Sequence, residues 1–404
     1  LLASAAASDV YKRQNDTFED YGLFTQVEQL NKTALKAHGL DKSGHLYKVN
    51  SFDFHRYEDT IKLADDPDYN QASFEGMLEI KGDTDHTKLI EMLDELNDES
   101  QKIDDVLDTY FDTENLVYWL AFQILTGNCD TQNRNCYLYS PLNSKVWYIL
   151  DWDNDGMLRK LELSLTGFSD YASWERGASN YWGNVLFNRA LRSKSFRSEL
   201  DRAVKDLRSY LTETRLTKMI KHYREVTESL VFASPDIDNL PVTKDQYEQI
   251  AAAIPAEIEE NYKSFRESYK KPMPFYIGVP QIDNGKLRIN WDASYDFEAR
   301  DIRYTVELAR DYAISDVVFK AEDVLLQGNP LKEAISSARF LFSRFLLGGI
   351  LLREGNPDTV AVAGWRKEME EALAVARGHT RGMTEEERRL WQAFLDLSLI
   401  HISE

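Results

Sequence analysis

Apolar residues recur along this chain with two different periods, and the alternation between them sets out the elements. Tyr21 to Glu28 (YGLFTQVE) is rich in aromatic and β-branched residues and predicts a strand. A short helix from Asn31 to His38 and a second strand from His45 to Val49 complete a β-α-β opening. In Asp85 to Leu96 the residues Leu89, Met92, Leu93 and Leu96 fall at helical spacing. Thr113 reads as the cap of a longer helix whose Leu116, Trp119, Leu120 and Ile124 form one apolar face. A polar loop from Gly127 to Arg134 follows, then two short strands, Cys136 to Tyr139 and Lys145 to Leu150, joined by the turn SPLNS. From Asn184 to about Lys271 the period is helical again, with Leu207, Leu211, Leu216 and Ile220 set among many charges.

The style changes near Pro272. Gly285 to Trp291 and Ile302 to Leu308 alternate with period two, the grammar of a β-sandwich, and only about half of such a domain is present. Trp291 and Tyr304 are expected in its core rather than at a ligand. Beyond Leu325 the chain is rich in Ala, Leu and Arg, and its acids and bases balance. Thr384 and Glu387 form a capping box ahead of Leu390, Trp391 and Phe394. This stretch reads as a helical domain or as a join between unrelated fragments. The run Phe340 to Leu352 is too short and too interrupted to span a bilayer and reads as a buried helix.

The two ends stand apart. Asp9 to Gln14 (DVYKRQ) and Leu397 to Ile402 (LSLIHI) can be encoded by a nucleotide sequence and its reverse complement, as when an adapter is read in opposite directions at the ends of a metagenomic fragment. The expected division is therefore 1–14 adapter-derived, 15–271 the main domain with its N-terminal part missing, 272–325 the partial sandwich, 326–396 the helical segment and 397–404 adapter-derived.

The composition, 43% hydrophobic and 12% aromatic over 404 residues, supplies sizeable cores. A net charge of -20 with no basic stripe excludes nucleic acid and anionic membrane surfaces as partners, since both demand clustered Lys and Arg. Two cysteines, Cys129 and Cys136, are too few for a disulfide scaffold or a zinc site. No His-x-x-x-His, Gly-x-Ser-x-Gly or phosphate-binding Gly-x-x-x-x-Gly-Lys occurs. Cys129 has no obvious base beside it and reads as a packed thiol.

The chemistry concentrates between Asn128 and Gly156. Phosphoryl transfer needs a carboxylate at the attacking hydroxyl, oxygen ligands for magnesium and a cation on the phosphates. Asp130 and Asn135 (DTQNRN) have the Asp-x-x-x-x-Asn spacing of a kinase catalytic loop. The loop follows an apolar helix and leads into a hairpin that delivers Asp153 in the turn DWDNDG, the order in which kinases assemble their metal side. Arg134 is placed to meet a phosphate or a neighbouring carboxylate.

The same residues carry a family resemblance. Tyr21-Gly-Leu-Phe-Thr-Gln-Val-Glu28, Leu46-Tyr-Lys48, Asn128-Cys-Asp130, Asn135-Cys-Tyr-Leu-Tyr139 and Trp147…Trp152-Asp-Asn-Asp-Gly156 resemble the spore coat protein H (CotH) kinase family, from about Asp20 to Lys271. The resemblance implies an atypical protein-kinase-like α+β domain that uses ATP and Mg2+ to phosphorylate Ser or Thr of proteins. It also implies a secreted, cell-surface or spore-coat location. It makes Asp130 the catalytic aspartate, Asp153 the metal aspartate, Asn135 its helper, and Lys48 the phosphate-binding lysine, with Glu28 as the paired acid. The whole chain is thus expected to be α+β: the kinase-like domain, a partial fibronectin III-like or Ig-like sandwich, and a helical C-terminal segment. This sequence departs from the family pattern at Asp151, where a residue such as proline is expected, and at Cys136, where an aromatic is.

Two other readings use the same turn. Asp151-Trp-Asp153-Asn-Asp155-Gly156 followed by Glu162 satisfies the EF-hand calcium pattern, although Val146 to Leu150 is strand-like where an EF-hand needs a helix. A solvated acidic turn is the plain alternative. At the level of the protein, the rival to an enzyme is a non-catalytic surface or coat-assembly protein with a degenerate kinase-like domain, binding Ca2+ at 151–162.

Overall fold

The structure, a computed structural model, describes residues 6–14, 17–166, 176–283, 286–310, 314–324 and 399–403. It is α+β, with two compact units that change over between Arg266 and Glu267. The capping box at Thr384 and the run Phe340 to Leu352 lie outside the described residues.

The first unit opens with a long hairpin, β1 (Ala6–Gln14) antiparallel to β2 (Thr17–Gln26), so the expected strand begins and ends earlier than Tyr21 to Glu28. Residues 9–14 lie within β1. Asn31 then starts α1 (Lys32–Ala37) by accepting from the backbone N–H of Thr33 at 2.8 Å and Ala34 at 3.2 Å, a cap worth about 1 kcal/mol. After β3 (His45–Val49) come α2 (Gln71–Met77), β4 (Leu78–Ile80), α3 (Thr87–Asn97), α4 (Ile103–Tyr110) and α5 (Thr113–Thr126). Leu89, Met92, Leu93 and Leu96 of α3 are all fully buried, as their spacing predicts. The cap of α5 is Asp112, which accepts from Asn115 N–H at 2.8 Å; Thr113 is the first helical residue. The Asp112 carboxylate, one residue earlier, reaches the orphan amide.

Strands β5 (Cys136–Ser140) and β6 (Tyr148–Asp151) complete an antiparallel sheet of order β4-β3-β5-β6. The second strand starts later than Lys145 because Trp147 bridges to Phe111 instead. The Asn115 side chain pairs with both polar groups of Ile149, at 2.7 and 3.0 Å, which satisfies the sheet's outer edge. Alternation along β3 divides its residues between two cores. Leu46 joins Tyr137, Tyr139 and Leu150 under Ala34 and Leu35 of α1. On the other face Tyr47 packs on Phe74, His86 and Trp147. Lys48 lies on the α1 side, where it is half-buried.

The unit continues through α6 (Lys160–Leu165), α7 (Val185–Arg192), α8 (Lys194–Tyr210), α9 (Glu213–Val231) and α10 (Lys244–Ser268), the helical stretch that the pattern predicts. Leu216 is buried there, whereas Leu207, Leu211 and Ile220 are half-buried.

The second unit contains β7 (Gln281–Asp283) paired with β8 (Lys286–Arg288), and a sheet in which β9 (Tyr304–Ala309) lies between β10 (Val317–Val324) and β11 (Leu399–Ser403). The strand expected through Trp291 is shorter, and Trp291 forms only an isolated bridge with Ile277. Tyr304, Val306 and Leu308 form the core with Ile277, and Trp291 packs against them. Both aromatics therefore act in the core, as expected, and the Tyr304 hydroxyl accepts from Ser294 N–H at 2.8 Å.

Candidate functional site

Helix α5 stops because Gly127 is left-handed, with φ 61° and ψ 32°. A side chain there is excluded twice over, since a Cβ would also lie 2.6 Å from the Asn261 amide nitrogen, which donates to Leu125 O at 3.0 Å. The loop that follows is fastened at many points. Thr131 and Asn128 meet the Tyr181 hydroxyl, Gln132 bonds to Cys129 O and Asn180, and Asn184 bonds to Gln132 O. Asn133 O accepts from Phe52 N–H at 2.7 Å. The result is a fixed platform for Asp130, whose side chain keeps 44% of its surface open. Its Oδ2 accepts from Asn135 Nδ2 at 2.9 Å and its Oδ1 lies 3.4 Å from Arg134 Nε. Arg134 thus meets a carboxylate in the loop itself.

The turn after β6 comes up against this loop. Asp153 is left-handed at φ 57° and leads into a single 3-10 turn, Asn154–Gly156. A Cβ on Gly156 would fall 2.5 Å from Asn128 Oδ1 and 3.3 Å from Asp130 Cβ, so only glycine permits this approach. Partial loss of water pushes the Asp153 carboxyl above its ordinary range. The negative charges of Asp155 and Asp130 push the same way, and Lys48 opposes them.

Lys48 arrives from the sheet. Its register partners are Glu79 on β4 and Tyr137 on β5, and its ammonium stands 5.7 Å from the centre of the Trp152 ring. Trp152 in turn sits edge-on to Tyr137 at 5.4 Å. Burial and then Glu79 raise the Tyr137 phenol to about 12.

Asp130, Asn135, Asp153 and Lys48 are therefore gathered at one place, and the donor set suits a hard cation. Asn135 uses its amide nitrogen on Asp130, which leaves the carbonyl oxygen as the ligand end. The mutual repulsion around Asp153 is of the kind that a divalent ion relieves. Among the described residues no three His, Cys, Asp or Glu side chains form a metal site by themselves. Magnesium would need only one or two carboxylates here, with the balance from Asn135, water and phosphate oxygens.

A family model described as CotH kinase protein matches residues 5–265, well over half of the chain. The chain belongs to the CotH kinase family. Membership gives residues 5–265 an atypical kinase-like domain. No curated protein matches the chain.

In this CotH chain the expected pairing of Glu28 with Lys48 has no ion pair behind it among the described residues. Glu28 accepts from His38 Nε2 at 2.7 Å at the far end of α1. Strand β2 pairs with β1 in a sheet separate from that of Lys48 and ends at Gln26, so its alternation does not direct Glu28 to Lys48. The acid in register with Lys48 is Glu79, on a strand of three residues that is too short to read from sequence. Nor is the turn an EF-hand. A strand enters it, Asp151 is held by Gln123 and Asn154, and Glu162 is gripped by Arg159 at 2.8 and 3.0 Å. The Cys129 thiol lies 3.7 Å from Gly156 O, and burial raises the Cys136 thiol far above its usual range. Asn128, Asp151, Trp152 and Asn154 also shape the CotH site, although the sequence motifs that contain them gave them no part in phosphoryl transfer.

Proposed function

We propose that this CotH-family chain is an atypical protein kinase that transfers the γ-phosphate of ATP to Ser or Thr side chains of proteins, with Mg2+ as cofactor. The observation that carries the reading is the meeting of the Asp130 loop, the Asp153 turn and Lys48 from a separate strand, with Gly156 allowing the first two to touch. Asp130 accepts the hydrogen bond of the attacking hydroxyl and takes its proton as the oxygen–phosphorus bond forms and the bond to ADP breaks. Asn135 keeps that carboxylate oriented through its 2.9 Å bond. Asp153 and the Asn135 carbonyl would hold magnesium, which neutralises charge on the phosphates. Lys48 supplies the cation on the nucleotide, steadied by Trp152, and its register partner Glu79 pairs with Lys81.

The second unit is proposed as a partial fibronectin III-like module, a reading supported by the inward alternation of Tyr304, Val306 and Leu308. A protein substrate, and a secreted, surface or spore-coat setting, are part of this proposal, and membership of the family supports them. Among the described residues no helix is long and apolar enough to cross a membrane. Labelled ATP with Mg2+ and a mixture of candidate proteins tests the reading: phosphoserine or phosphothreonine should form with the intact chain and form more slowly, by about 10²-fold or more, with Asp130→Ala.

A further inference from the structure

Asp151 ends β6 with a carboxylate that accepts from two side-chain amides, with the Trp119 indole also close to it. Oδ1 accepts from Gln123 Nε2 at 2.7 Å, and Oδ2 accepts from Asn154 Nδ2. Asn154 Oδ1 in turn accepts from Asn128 Nδ2 at 3.3 Å, and Asn128 Oδ1 accepts from the backbone N–H of Asp130 at 3.2 Å. One hydrogen-bonded line therefore runs from the buried Gln123 of α5 through the acidic turn to the main chain of Asp130. The Asp151–Asn154 bond also spans Asp153, whose left-handed backbone is unfavourable for a residue with a Cβ and persists only where its surroundings impose it.

We propose that Asp151 is a positioning residue that holds Asp153 in its left-handed turn and, through Asn154 and Asn128, sets the spacing between Asp153 and Asp130. The inference rests on the phosphotransfer reading for its consequence, though not for its geometry. The chemistry needed at position 151 is acceptance of hydrogen bonds, not negative charge. Two amide NH2 groups converge on it, and a side chain that accepts from Asn154 while satisfying Gln123 does the same work. An amide meets that need here, because Gln123 Oε1 is buried without a hydrogen-bond partner. Rotating the Gln123 amide presents that oxygen to the NH2 group introduced by Asp151→Asn, which keeps both bonds to position 151 and gives up only the long 3.5 Å contact from Gln123 Nε2 to Asn154 Oδ1. A proton carrier would tolerate no such exchange, and a metal ligand would lose the charge that attracts the cation. This separates a brace from the calcium-ligand role that the motif offers for the same residue.

The test compares Asp151→Asn and Asp151→Ala in the full chain. Amide hydrogen exchange is followed without nucleotide over peptides covering 128–135 and 151–158, alongside Mg2+-dependent phosphate transfer. Asp151→Ala should speed exchange in both peptides by about tenfold or more, the factor for losing roughly one hydrogen bond, while peptides from α3 keep their protection. Transfer should fall in parallel. Asp151→Asn should restore both readouts to within about threefold of wild type, a fraction of one hydrogen bond. If Asp151→Ala does not fold, Asn154→Ala cuts the span while leaving the Asp151–Gln123 bond, and the same pattern is expected. Unchanged exchange in the alanine variants, or Asp151→Asn as damaging as Asp151→Ala, overturns the proposal. Absence of transfer by the wild type would remove the phosphotransfer reading, and exchange alone would then decide whether the brace exists.

Discussion

His86 has no exposed surface, and both of its ring nitrogens face hydroxyls, Tyr47 at 2.9 Å and Tyr69 at 3.1 Å, while Phe74 stacks on it at 4.1 Å. Burial holds this imidazole and that of His45 below the ordinary value of 6.5. The folded protein therefore binds fewer protons than the unfolded chain just below pH 6.5, and this part of the stability is present above that value and lost as pH falls beneath it. Buried carboxyls such as Asp151 and Glu257, raised by burial, act in the opposite sense. The contribution is best isolated as the difference between wild type and His86→Gln in denaturant titrations from pH 7 to pH 5. Wild type should lose more stability, approaching about 1.4 kcal/mol per pH unit. At the site, Gly156→Ala would set a methyl group 2.5 Å from Asn128 Oδ1. It should cost about 1–3 kcal/mol in thermal unfolding and slow phosphate transfer. Neither effect is visible in sequence, because a histidine between polar neighbours and a glycine in an acidic turn look alike whether or not they are enclosed.

Elements with a one-sided apolar period were legible. The four buried positions of α3 and the whole of β3 lie where the pattern puts them, since a helix or strand with one buried face writes its period into the chain. Boundaries decided by side-chain capping were less so, as with Asp112 against Thr113 and the late start of β6. Least legible are charges that act inside. Arg189 on α7 is buried and donates to the backbone carbonyls of Glu95, Leu96 and Gln101, closing the C-terminal end of α3 and the turn after it. In sequence it is one more basic residue on a helix. Arg189→Met would keep the stem and leave those carbonyls without a donor. It should destabilise the protein by about 2–3 kcal/mol in urea unfolding, whereas the exposed Arg202→Met should change little.

Across the whole molecule, the order of helix, loop, hairpin and acidic turn was enough to propose the site, because those parts are contiguous in the chain. What sequence did not contain was the sheet register. Lys48 reaches Trp152 and Asp153 because it pairs with Tyr137, and the same ladder sets Cys136 opposite Asp151. Glu28, just past the end of β2 at Gln26, is instead drawn to His38. The central claim is that Asp130 and Asp153 serve one phosphoryl-transfer centre. The measurement that tests it most directly is Mg2+-dependent transfer from labelled ATP by the full chain, set against Asp130→Ala and Asp153→Ala. Each substitution should lower the rate by about 10²–10⁴-fold, the range for removing a positioned acid–base or charge-stabilising group, with folding retained. Transfer that survives both substitutions would contradict the account.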